Sequence, residues 1–148
     1  MFKNVKTCFY CGDDTQITRD HIIPVSYAGG KRHYDRADTV DCCFECNCNL
    51  NDKAFLTVED RAQFLYDRYA VKYRKLLTLP EWSEDELEDM SDDFRRSIKA
   101  SMVMREIVAE RLHHLLTVAC EEYPAEKVEH LRGLVTRSRV RKASVGLL

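Results

Sequence analysis

Cys43-Phe44-Glu45-Cys46-Asn47 decides how this chain is read, because it repeats the spacing of Cys8-Phe9-Tyr10-Cys11 far upstream. Between the two pairs stands Asp20-His21-Ile22-Ile23-Pro24. A Cys-x-x-Cys pair turns two thiolates onto one ion, and two pairs complete the tetrahedral shell of a structural zinc. The pattern C-x2-C-x31-C-x2-C therefore predicts one Zn2+ held by Cys8, Cys11, Cys43 and Cys46, pinning two distant segments together. Structural zinc contributes roughly 10–16 kcal/mol in small finger peptides. That is enough to decide whether a segment with little apolar core of its own folds.

Three cysteines are left over from the seven: Cys42, Cys48 and Cys120. They read as small buried apolar groups, with Cys42 the alternative to Cys43 as fourth ligand. An odd number fits a disulfide framework poorly. The N-terminal residues lack the apolar stretch of a signal peptide, and no apolar run approaches the roughly 18 residues of a membrane span. The expectation is an intracellular, cytoplasmic protein with reduced thiols and no membrane partner.

The net charge of −2 gives no global argument for nucleic acid. Charge is uneven, however. Glu81 to Asp93 is acidic with no basic residue, whereas Lys31, Arg32, His33 and Arg36 form a basic loop and Arg132 to Lys142 a basic tail. A DNA-binding surface would be local and salt-sensitive.

Outward from the cysteines, Thr15–Thr18 alternates and reads as a strand leading into Asp20-His21. Thr39-Val40 reads as a second strand. Phe44 to Asp52 reads as a short helix. Thr57 is a candidate N-cap with Asp60 as partner, opening a helix with Phe64, Leu65, Tyr69, Tyr73, Leu76 and Leu77 at helical spacing, closed by Pro80. Ser83-Glu84-Asp85-Glu86 is a capping box. Ser91 or Asp92 opens the longest helix, with an apolar stripe of Phe94, Ile98, Met102, Ile107, Leu112, Leu115, Leu116 and Ala119, ending before Pro124. The stripes read as core, with part of the longest one available to a homodimer interface.

Hydrolysis of a phosphodiester at neutral pH needs a base for water, and a cation where charge develops. An imidazole ordinarily titrates near neutrality, and a divalent ion binds hard oxygen donors. Asp20, His21 and Asn47 offer such a set. An Asp-His pair is also common in structural roles, and a histidine near cysteines is often a zinc ligand. Here four cysteines already complete a zinc shell. Successive strand residues point to opposite faces, so a local bend is expected where Asp20 and His21 are to act together.

In this order and spacing the residues Cys8-x-x-Cys11-Gly12, Asp20-His21-Ile22-Ile23-Pro24, Gly29-Gly30 and Cys43-x-x-Cys46-Asn47 resemble the four-cysteine zinc branch of the HNH endonucleases. The resemblance covers about residues 8 to 53. It implies a ββα-metal fold, His21 as general base, and a catalytic Mg2+ or other divalent ion on Asp20 and Asn47. Asp38 stands where such proteins usually carry an asparagine that orients the histidine's loop. Asn51, one helical turn after Asn47, is a second-rank ligand for that ion. The expectation is an α+β protein: a zinc-stapled ββα-metal module over residues 1–54, then a mainly helical region over 55–148. Its expected activity is metal-dependent DNA cleavage or nicking, with Lys31, Arg32, His33 and Arg36 on the DNA. The rivals are a non-catalytic zinc module binding nucleic acid or protein, and a helical interaction protein with a zinc clip.

Overall fold

The computed structural model describes residues 5–22, 39–51, 53, 55 and 57–119. Pro24, Gly29, Gly30, Lys31, Arg32, His33, Arg36, Asp38, Cys120, Pro124 and the basic tail lie outside these residues.

Two strands, β1 (Ile17–His21) and β2 (Thr39–Cys43), pair antiparallel with Ile17 opposite Cys43 and His21 opposite Thr39. The chain runs from β2 into α1 (Phe44–Leu50) with no intervening loop. Cys43 is at once the last strand residue, the N-cap of α1 and a member of the cysteine cluster. This is the ββα order anticipated from the motif, in an α+β protein. The expected strand at Thr15 starts two residues later, because Gln16 adopts a positive φ of 46° and turns the chain into β1.

Four helices follow: α2 (Val58–Lys72), α3 (Arg74–Leu77), α4 (Glu84–Glu88) and α5 (Asp92–Ala119). The Thr57 side chain accepts from the Asp60 N–H, and Ser83 and Glu86 form a complete capping box. The helix expected to continue to Leu77 breaks at Tyr73 (φ −100°, ψ 12°). There the Tyr73 hydroxyl donates to Glu45 of α1, and Leu76 and Leu77 beyond it pack on the core.

One core joins the cysteines to the helices. Cys8, Cys11, Cys42, Cys43 and Cys46 share it with Tyr10, Leu50, Leu65, Tyr69, Leu112 and Leu115. Two members expected in the α5 stripe are corrected. Phe94 is 56% and Ile107 44% exposed. Phe94 lies in the first turn, well before the first buried residue, Met102, and Ile107 sits one residue from buried Val108, about 100° round the helix. Among the described residues no helix is long and apolar enough to cross a membrane.

Candidate active site and metal centre

The first cysteine pair sits in a tight turn. The Gly12 N–H donates to the Cys8 carbonyl at 2.9 Å, and the Cys8 N–H to the Asp13 carbonyl at 2.7 Å. Gly12 has φ +75°, and a Cβ there would come within 3.1 Å of the His114 ring on α5. The Phe9 N–H donates to the Asp41 carbonyl, stitching this turn to β2. The second pair closes at the start of α1, where the Cys46 N–H donates to the Cys43 sulfur at 3.5 Å.

The sulfurs of Cys8, Cys11, Cys43 and Cys46 all lie within 4.8 Å of one another and are buried. A ZnS4 tetrahedron with bonds of about 2.3 Å has sulfurs about 3.8 Å apart, and Cys11 and Cys43 stand at 3.7 Å. A hydrogen bond to the Cys43 sulfur pushes the Cys11 thiol up, one to Cys11 pushes the Cys46 thiol up, and one from Cys11 pushes Cys8 down. Four thiolates coexist here only around a cation, and the donor set fits zinc. Cys42 is the buried neighbour outside the cluster, its S–H directed at the Cys43 carbonyl. Cys48, expected to be buried, is exposed because α1 turns that face outward.

Sequence reasoning missed the groups around these sulfurs. Tyr69 of α2 donates its hydroxyl to the Cys46 sulfur at 3.1 Å, and Arg111 of α5 its Nε–H to the Cys11 sulfur at 3.4 Å. The guanidinium of Arg111 lies 4.8 Å above the Tyr69 ring and donates to Glu45 at 2.8 Å. Such donors offset the double negative charge of a zinc tetrathiolate and orient its ligands. Burial works against charge on Glu45, but its hydrogen bonds from Lys72 and Arg111 hold the carboxyl below its ordinary range. A signal existed: Arg61, Leu65 and Tyr69 fall at four-residue spacing, as do Arg111 and Leu115, so both arginines sit on apolar stripes.

Asp20 and His21 both lie in regular β1 pairing, opposite Val40 and Thr39. The chain bends only after His21, so alternation sends the two side chains to opposite faces. His21 is half-buried and shares its face with exposed Arg19, whose Nη1 donates to the Thr39 hydroxyl at 3.0 Å. Asp20 is buried. Its carboxylate receives the Tyr10 hydroxyl at 2.7 Å and two Arg61 hydrogen bonds from Nη2 at 2.6 and 2.8 Å. Burial, then the nearby Asp20 carboxylate, pushes the Tyr10 phenol up, which keeps it a donor. Asn47 on α1 faces the same side of β1 as Asp20. Its amide N–H groups donate to the Thr18 hydroxyl at 2.9 Å and the Arg19 carbonyl at 3.4 Å. Asn51 ends α1 as its C-cap, with φ 44°, rather than extending the Asn47 face.

The structure thus brings Asp20 and Asn47 to one side of β1 and His21 to the other. The donor set in this arrangement does not fit a divalent ion, because both Asp20 oxygens are committed to a buried guanidinium. The only His, Cys, Asp or Glu cluster of metal-binding geometry among the described residues is the cysteine set.

Residues 8–60 match the family model described as HNH endonuclease. Among curated proteins and solved structures, nothing matches significantly. The matched segment contains the cysteine cluster, both strands and α1. A module of this family implies hydrolase chemistry on a nucleic-acid substrate.

Proposed function

We propose that the HNH endonuclease module at residues 8–60 makes this chain a DNA endonuclease or nickase, with His21 as the general base that takes a proton from the attacking water. The observation that carries the reading is the match over residues 8–60. The four buried cysteines within it tie the turn before β1 to the β2–α1 junction, in the segment that also carries Asp20, His21 and Asn47.

His21 stands at the end of β1 and is half-buried, with its Nε2 enclosed by the protein. Arg19, two residues earlier on the same face, is placed to meet the phosphate and to offset charge that develops on it. The basic group Lys31, Arg32, His33 and Arg36 belongs to this reading as further phosphate contacts, and Asp38 as the residue orienting the His21 loop. The family resemblance puts a divalent ion on Asp20 and Asn47, with Asn51 as second-rank ligand, whereas both Asp20 oxygens here are held by Arg61. Helices α2 and α5 serve as the scaffold closing the zinc site, and the exposed α5 residues Val103, Met104 and Ile107 are the surface offered to a homodimer.

Nicking of supercoiled plasmid, assayed with several divalent metals, tests the proposal. His21→Ala should lower the rate by about 10²–10⁴-fold while leaving zinc content and helicity unchanged. Cleavage that survives both this substitution and chelation sinks the mechanism. Arg19→Ala should weaken binding to all sequences alike and reduce the salt slope by about 1.

One observation favours a second reading, a zinc module that binds nucleic acid without cutting it: the Asp20 carboxylate is saturated by Arg61 and Tyr10. That reading predicts DNA binding with no strand breaks and no response to magnesium or manganese.

A further inference from the structure

Arg61 heads the fully buried side chains among the described residues, with 0% of its surface exposed, and it lies one residue past the matched segment. A guanidinium is kept in a core only where its N–H groups find acceptors and its charge a partner. Both conditions are met. Nη2 donates to the two Asp20 oxygens. Nε donates to Asp20 Oδ2 and to the Tyr10 hydroxyl, each at 3.1 Å. Nη1 donates to the carbonyls of Ile22 and Phe55 at 3.2 and 3.4 Å. The planar fork matches the carboxylate bidentately, the strongest form of this contact.

Asp20 and Ile22 flank His21, so a single side chain of α2 grips the chain on both sides of the histidine, at the end of β1 and just beyond it. A divalent ion binds through the same carboxylate oxygens and is repelled by a guanidinium already upon them. Two cations compete for one carboxylate, and the arginine is covalently present at the site.

We infer that Arg61 is the resident cation of this site: it withholds the Asp20 carboxylate from divalent ions, and an ion binds there only where Arg61 has let go. The inference deepens the nuclease reading of the same site and rests on it.

The test measures Mn2+ binding to the full-length, zinc-loaded protein without nucleic acid, by the electron paramagnetic resonance signal of free Mn2+. Wild type is compared with Arg61→Met, with Arg61→Lys, and with Arg61→Met combined with Asp20→Asn. Arg61→Met should bind Mn2+ at least tenfold more tightly than wild type. Arg61→Lys, which keeps a cation without the bidentate fork, should fall between, and Asp20→Asn should erase the gain. Equal or tighter binding by wild type overturns the inference, as does a gain that survives Asp20→Asn. Zinc content and circular dichroism establish that each variant is folded. Where Arg61→Met does not fold, Arg61→Lys carries the comparison, and wild type supplies an independent reading by nuclear magnetic resonance with Mg2+. The Arg61 Nε–H should be protected from exchange, and any Mg2+ binding that Asp20→Asn removes should abolish that protection. Mg2+ bound at Asp20 with the Nε–H still protected overturns the inference. Failure of the nuclease reading looks different: Arg61→Met gains Mn2+ but no variant nicks plasmid.

Discussion

Tyr69 contributes a ring and a hydroxyl to different tasks, and a single substitution separates them. The ring packs in the core and carries the Arg111 guanidinium, while the hydroxyl donates to the Cys46 sulfur. Burial, then the Cys46 sulfur, pushes its phenol up, so the proton stays in place to donate. Tyr69→Phe keeps the ring and removes the donor. Zinc affinity should fall by about 10–100-fold, the usual effect of losing a partner that orients a metal ligand. Competition with a colorimetric chelator measures this, and unchanged affinity would show that the hydroxyl does not support the metal. Gly12→Ala acts on the same centre through the backbone. It places a Cβ at φ +75° and against His114, so it should destabilise by about 1 kcal/mol or more, read as a lower urea midpoint.

Helix α1 is the element on which the charges converge, through Glu45. Lys72 at 2.6 Å, Tyr73 at 2.9 Å and Arg111 at 2.8 Å all donate to its carboxylate, from α2, the α2–α3 junction and α5. Its carboxyl is held below the ordinary range, so the folded state binds a proton there less readily than the unfolded chain. The stability this confers is complete above the unfolded value near 4.3 and is lost as pH falls through the lower folded value. Urea midpoints followed from about pH 5 down to about pH 3 should therefore fall less steeply in Glu45→Gln than in wild type. Parallel curves would assign the acid loss to the zinc thiolates alone.

Elements were the most legible part of the sequence, because each was announced by local chemistry. The cap at Thr57, the Ser83–Glu86 box and the Cys43–Asn47 turn into α1 all rest on residues a few positions apart. The Arg61–Asp20 pair was hidden for the opposite reason: its partners are 41 residues apart, and charged residues normally face water. The cysteine spacing foretold which side chains gather. It carried no information on which way Asp20 faces, since that depends on what α2 puts opposite it.

On the scale of the whole molecule, the metal centre and the helical layers have no separate cores. Leu65 and Tyr69 of α2 and Leu112 and Leu115 of α5 pack in one cluster with the five buried cysteines. Removal of zinc should therefore melt the helices along with the strands, because structural zinc supplies folding free energy directly. A strong chelator with reductant should abolish most of the far-ultraviolet helical signal. Persistence of that signal would mean that α2 and α5 stand without the metal.

The reach of Arg111 from α5 to the first cysteine pair sets a timetable for synthesis. Arg111 lies 66 residues after Glu45 and 100 after Cys11. At roughly 5–20 residues per second, the ribosome takes roughly 3–13 s to make the chain between the last thiol and the arginine that covers the cluster. During that interval the sulfurs stand open to whatever metal or oxidant arrives first. The nascent chain can thus meet its zinc before its last long helix exists, and α5 then covers the cluster.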